Sequence, residues 1–231
     1  GRPDSITEGK LRSMKTHGVT RISINPQSMK EHTLELLGRK HTVEEIREKF
    51  MLARTLGFDN INMDLIAGLP EETLEDFKET LREVEALKPD SITVHTLVIK
   101  RASRLRKEQL EQGGEMREED ACIEPMQKEA EQFCRVHGYE PYYMYRQKNK
   151  AHTTRNTNQE NVAYAKPGKE CLYNIFIMEE LQSILALGSG GSSKIVFPEE
   201  NRMERVENVK SVDDYIGRID EMIRRKKESW R

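Results

Sequence analysis

An α/β fold is predicted for this chain of 231 residues: a partial (β/α) barrel followed by an antiparallel β extension and a terminal helix. Three observations carry that expectation. Residues 57–70, GFDNINMDLIAGLP, hold Ile61, Met63, Leu65 and Ile66 in a near-continuous apolar run, the pattern of a strand buried on both faces. The first hundred residues repeat one unit, in which a helix ends at Gly or Pro, a strand follows, a polar loop comes next and a helix returns. From residue 139 onward the apolar segments become short and closely spaced, which suits antiparallel pairing.

In chain order, residues 5–17 read as a helix with Ile6, Leu11 and Met14 on one face, closed by His17 and Gly18. VTRISI, residues 19–24, reads as a strand, and Asn25, Pro26, Gln27 and Ser28 form the loop at its C-terminal end. A short helical turn covers 31–37. Thr42 with Glu45 makes a capping box for a helix carrying Val43, Ile46, Phe50 and Ala53. After the strand around Asp64, a helix presents Leu74, Phe77, Leu81 and Val84 and stops at Lys88 and Pro89. SITVHTLVI, residues 91–99, is the third strand. Residues 101–120 are strongly charged and lead into a helix over roughly 117–137. YEPYYMY, 139–145, reads as an aromatic strand whose Pro141 favours an edge. Residues 146–160 are polar and rich in breakers. Strands are expected near 173–178, 182–187 and 193–197, with Gly188, Gly190 and Gly191 turning the chain between the last two. Residues 211–228 form the terminal helix. The division expected is 1–138 for the barrel part and 139–231 for the extension.

The totals exclude several classes. Lys and Arg number 38 against 40 Asp and Glu, a net charge of −2, so bulk charge calls for neither nucleic acid nor an anionic membrane. No apolar run approaches spanning length. Cys122, Cys134 and Cys171 are an odd, widely spaced set, which disfavours a disulfide framework and fits a reducing cytoplasm. Cys134 and His137 lie one helical turn apart, but a closed zinc site lacks further ligands. The chain opens on GRPDSIT without an initiating Met and reads as a piece of a longer protein.

A carboxylate such as Asp64 inside an apolar strand is costly unless something binds it or donates to it. In parallel sheets, ligands gather beyond the C-terminal ends of strands. Gln27, Arg39 and Asp64 are expected at that end, with Val98 at the end of the third strand. Gln27 and Asp64 can accept from hydroxyls, Arg39 can clamp a carboxylate in two-point fashion, and a backbone at Val98 can read a heterocycle edge. The alternative is structural: Asp64 paired with Arg39, and Gln27 closing a loop. His95 is either a hydrogen-bonded core histidine or, in register with Asp64, a rim residue. Tyr142, Tyr143, Tyr145, Arg146 and Lys148 either meet a flat polycarboxylate or form an edge strand with one face in the core; Arg146 is the favoured substrate contact.

RISINPQS, LLGRKHT, NINMDLIAGLP and PDSITVHTLVI resemble the second half of the radical S-adenosylmethionine barrel of oxygen-independent coproporphyrinogen III oxidases, in particular the coproporphyrinogen dehydrogenase branch of Gram-positive bacteria, which YYMYRQKN, NVAYAKPGKE and LALGSGGSSK also resemble. The resemblance spans most of the chain. It implies that Gln27 and Asp64 bind the ribose hydroxyls of S-adenosylmethionine, Arg39 its methionyl carboxylate, and Val98 the adenine through backbone. It implies a [4Fe–4S] cluster, coproporphyrinogen III as substrate, and an electron donor such as flavodoxin or ferredoxin. The family's C-x3-C-x2-C motif is missing from this sequence. The expectation is therefore a radical oxidoreductase of porphyrin synthesis as the full-length protein, with this piece inactive alone and prone to dimerise through an exposed barrel edge. A haem-binding carrier, or radical chemistry on another substrate, is the alternative.

Overall fold

The structure, a computed structural model, describes residues 1–97, 123–146 and 160–230. It forms two compact units, Gly1–Glu170 and Cys171–Arg231. The strands after residue 138 hydrogen-bond into the first unit's sheet, so that unit runs on to residue 170.

In that unit β1 (Ile22–Ser23), β2 (Ile61–Ala67) and β3 (Ser91–Thr96) are parallel neighbours. β5 (Glu160–Ala165) pairs antiparallel with β3, and β4 (Glu140–Arg146) antiparallel with β5, giving the order β1-β2-β3-β5-β4. The helices are α1 (Glu8–Thr16), α2 (Glu31–Leu36), α3 (Val43–Thr55), α4 (Leu74–Leu87) and α5 (Ile123–Val136). Strand identity in the parallel part follows the apolar runs. The 19–24 strand, however, shrinks to two residues. Pro26 lacks a donor and Gln27 turns left-handed at φ 73°, so the ladder lapses and resumes as a single bridge between Gln27 and Leu65. β4 stands at the sheet edge, and its register slips between Pro141 and Tyr143, as the missing proline N–H requires.

The core lies between sheet and helices. Ile61, Met63 and Leu65 meet Ile46, Phe50 and Ala53 of α3 and Phe77, Leu81 and Val84 of α4, all essentially without solvent exposure. Each large side chain so buried stabilises by about 1.5–3 kcal/mol. Tyr139 enters this core with its hydroxyl donating to the Pro89 carbonyl at 2.7 Å, which ties the approach to β4 to the approach to β3.

Both central helices start on reciprocal caps. Thr42 accepts from Glu45 N–H at 3.1 Å while its own N–H donates to the Glu45 carboxylate at 2.9 Å. Thr73 and Asp76 repeat this at 3.2 and 3.0 Å. The Thr73 hydroxyl and backbone, with Lys30 beside them, hold the Asp76 carboxyl down to about 2. Its folded value lies below the ordinary 3.8, so its contribution is complete above pH 3.8 and is lost as pH falls through about 2. Thr73→Ala is expected to cost about 1 kcal/mol at neutral pH. Urea unfolding at falling pH should show the gap between Thr73→Ala and the parent narrowing in that acid window.

The second unit corrects three sequence expectations. Residues 173–178 are not a strand: Leu172–Met178 is a helix, α6. A short apolar run of this kind fits either element. The 182–187 strand reduces to one antiparallel bridge, Ile184 with Lys194. The hairpin partner of β6 (Ser192–Phe197) is instead β7 (Arg202–Glu207), joined through a 3-10 turn at Pro198–Glu200 with Asn201 left-handed. The Gly188–Gly190 turn is present, with both glycines at positive φ. The terminal helix is broken into α7 (Val212–Gly217) and α8 (Ile219–Ser229).

Candidate functional site

Alternation along β2 sends Ile61, Met63, Leu65 and Ala67 toward the helices and Asn62, Asp64 and Ile66 to the opposite face. Register extends that face sideways: Ser23 and Ser91 flank Asn62, Thr93 lies beside Asp64, and His95 beside Ile66. The result is a polar patch on a sheet whose other side is apolar.

Asn62 organises it. Its amide nitrogen donates to Ser23 Oγ at 3.0 Å and to Asp64 Oδ1 at 2.6 Å. Its amide oxygen accepts from Ser91 Oγ at 3.0 Å and Thr93 Oγ1 at 3.1 Å. Arg21 reaches the same Ser91 hydroxyl at 2.8 Å. The second Asp64 oxygen lies 3.8 Å from His95 Nε2. Burial alone would raise the Asp64 carboxyl, yet His95, Asn62 and Thr93 together overcome it and hold the group below its ordinary value. Asp64 is thus an ionised acceptor, fixed from one side and open on the other, with its side chain 20% exposed.

Gln27 is tied to the main chain of β2 on either side of its bridge to Leu65. Its N–H donates to the Asp64 carbonyl at 3.0 Å, and its carbonyl accepts from Ile66 N–H at 2.9 Å. Its side chain is largely buried, and among the described residues its amide makes no hydrogen bond. The main chains of Gln27 and Asp64, 37 positions apart in the sequence, are therefore brought together.

Arg39 follows α2 and meets a different set of charges, Arg2 and Asp4. Burial lowers the guanidinium below its ordinary value, and Nη1 is buried without a hydrogen-bond partner. His41 packs nearby with both ring nitrogens buried and without a hydrogen bond, Nδ1 lying 4.0 Å from Asp4; burial, then Arg39, lowers the imidazole below its ordinary value. The Gly1 carbonyl accepts from Asn25 N–H at 3.0 Å, so residues 1–4 run from the end of β1 toward Arg39. No direct contact joins Arg39 to Gln27 or Asp64 among the described residues, and the structural alternative of an Asp64–Arg39 ion pair is not what the structure contains.

Val98 lies outside the described residues. Arg146 ends β4 opposite Glu160 of β5, at the same end of the sheet as His95; its side chain lies outside the described residues. His95 takes the rim position. Sequence reasoning missed Asn62, Ser91 and Thr93. The signal that finds them is the two-residue period of β2 and β3, which puts their polar residues on one face. Cys134 is fully buried, which pushes its thiol up to about 12 and leaves it inert. His137 stacks on Phe133 at 4.5 Å instead of joining a metal site. Among the described residues, no group of three or more His, Cys, Asp or Glu side chains could hold a metal ion, and no helix is long and apolar enough to cross a membrane.

Residues 1–84 match the family model of the Radical SAM superfamily. Over 220 residues the chain is 45% identical to the oxygen-independent coproporphyrinogen-III oxidase-like protein HemZ of Bacillus subtilis, covering 95% of this chain and 42% of that protein. It is 27% identical to the heme chaperone HemW of Escherichia coli, over 85% of this chain and 46% of the relative. The structure of coproporphyrinogen III oxidase (HemN) from Escherichia coli matches with a TM-score of 0.68 at 20% identity, across 95% of this chain and 48% of that one, which shows the shared fold. The chain spans less than half the length of these relatives.

Proposed function

We propose, for a chain that belongs to the radical SAM superfamily, that its polar rim binds S-adenosylmethionine and that the whole protein oxidatively decarboxylates coproporphyrinogen III to protoporphyrinogen IX. The observation that supports this most is the ionised Asp64 carboxylate with free acceptor capacity, on a residue whose main chain is hydrogen-bonded to that of Gln27. Two vicinal hydroxyls of a ribose suit such a pair, since hydroxyl donors gain most from a charged acceptor. Arg39 fits the methionyl carboxylate: a buried guanidinium nitrogen without a partner is a donor lacking an acceptor. Val98 is proposed to meet the adenine through backbone and Arg146 to meet a substrate propionate.

Bound S-adenosylmethionine, with an iron–sulfur cluster and a reductant such as flavodoxin or ferredoxin, supplies the radical chemistry. The described residues do not fit the cluster: Cys134 is buried within α5, and no other metal-ligating group gathers. What these residues contribute is binding and orientation. Asn62 fixes the Asp64 rotamer, His95 flanks its second oxygen, and the apolar reverse face of β2 keeps the platform rigid.

Haem delivery is a second reading, favoured by the 27% identity with HemW over 85% of the chain. The deciding experiment takes the full-length protein, cluster-reconstituted and reduced without oxygen. CO₂ release and vinyl products from coproporphyrinogen III are the expected result. Stoichiometric haem capture without turnover would instead establish the carrier.

A further inference from the structure

Glu72 follows the GLP turn after β2 and is buried, with 8% exposure. A carboxyl there needs partners. Ser28, only 1% exposed, donates its hydroxyl to Glu72 Oε1, and the Thr33 hydroxyl favours the charged form of the same carboxyl. Burial pushes the group above its ordinary value, against the lowering influence of Ser28 and Thr33. The Ser28 hydroxyl also accepts from Lys30 N–H at 3.2 Å, and Met29 N–H donates to Thr80 Oγ1 at 3.1 Å. Lys30 Nζ reaches Asp76 at 3.1 Å and also pairs with Glu79. So the three residues that follow Gln27 are each held by a group from the β2–α4 turn or from α4. Gln27 itself sits at φ 73°, a conformation an L side chain adopts only when its surroundings over-determine it.

Building on the S-adenosylmethionine reading above, we propose that Glu72 is the positioning residue for Gln27: by gripping Ser28 it locks the 25–30 loop in the left-handed turn that delivers Gln27 to Asp64. Glu72 makes no contact with the ligand. Its effect passes through Ser28 and one peptide to the recognising amide, where a displacement of the order of an ångström is enough to lose a hydrogen bond.

The test measures S-adenosylmethionine affinity by calorimetry for the full-length protein and for Glu72→Ala, Glu72→Gln, Ser28→Ala, Gln27→Ala, Asp64→Asn and the Glu72→Ala/Gln27→Ala double variant. Glu72→Ala and Ser28→Ala are expected to weaken binding roughly tenfold, while Glu72→Gln, which still accepts from the Ser28 hydroxyl, stays within about threefold of the parent. In the Gln27→Ala background Glu72→Ala should add no further loss, a coupling that a merely structural role would not produce. Should Glu72→Ala fail to fold, Ser28→Ala and Glu72→Gln carry the same comparison. Losses in the double variant that multiply, or unchanged binding in both Glu72→Ala and Ser28→Ala beside a clear loss in Asp64→Asn, would overturn the positioning role alone. Full binding in both Gln27→Ala and Asp64→Asn would overturn the reading it rests on.

Discussion

Replacing Asp64 with asparagine is expected to weaken S-adenosylmethionine binding about a hundredfold while leaving the fold intact. A charge-assisted hydrogen bond to a ribose hydroxyl contributes about 1.5–3 kcal/mol, and asparagine keeps the shape while removing the charge. Stability should move by less than about 1 kcal/mol, because the two effects on the folded state oppose each other. Burial disfavours the carboxylate, and His95, Asn62 and Thr93 compensate; neutralising it relieves the first and forfeits the second. The sign also fixes the acid response. Since the folded value lies below the ordinary 3.8, the parent loses this contribution only in acid below that value, and Asp64→Asn should be flat there. Calorimetry for binding and denaturant melts for stability separate the two. A loss of stability matching the loss of affinity would show that Asp64 serves the scaffold.

Gly68→Ala is expected to be the most damaging single-methyl addition in the first unit. Gly68 sits at φ 82°, and a Cβ there would lie 2.6 Å from Ile123 Cγ1 and 3.0 Å from Cδ1 of α5. Left-handed backbone costs an alanine about 1–2 kcal/mol, and overpacking against a buried isoleucine adds about as much, for a total of about 2–4 kcal/mol. The Gly68 N–H also faces Met126 Sδ at 3.3 Å, so a shift of the turn disturbs α5 twice over. Urea midpoints should show the loss. A double-mutant cycle with Ile123→Ala should recover the steric part, leaving the backbone part in place. Equal midpoints for Gly68→Ala and the parent would contradict this account of the turn.

The parallel half of the fold was legible because its signals are local and agree with one another. Thr42 with Glu45 specifies a helix start that forms as read, and the run from Ile61 to Ala67 specifies a strand. The pairing of β5 with β3 was not legible, since its partners Val162 and Val94 lie far apart and a six-residue strand carries little periodicity. LYNIFIM misled for the same reason: β-branched and aromatic residues in a seven-residue run fit a strand as well as they fit α6. At the site, Asp64 announced itself as a charge in an apolar strand. Gln27 could be placed beside it only through a parallel register. Arg39 stood out by type, but its neighbours Asp4 and His41 come from segments whose approach no spacing reveals. Asn62 was overlooked because an amide next to a carboxylate looks like loop chemistry until the pleat assigns both to one face.

The four hydrogen bonds of Asn62 give that amide an influence out of proportion to its visibility. It behaves as a rivet through three strands, and the carboxylate next to it inherits its aim. Drift at position 62 would therefore register in a binding assay as poor affinity with every ligand-facing group still present.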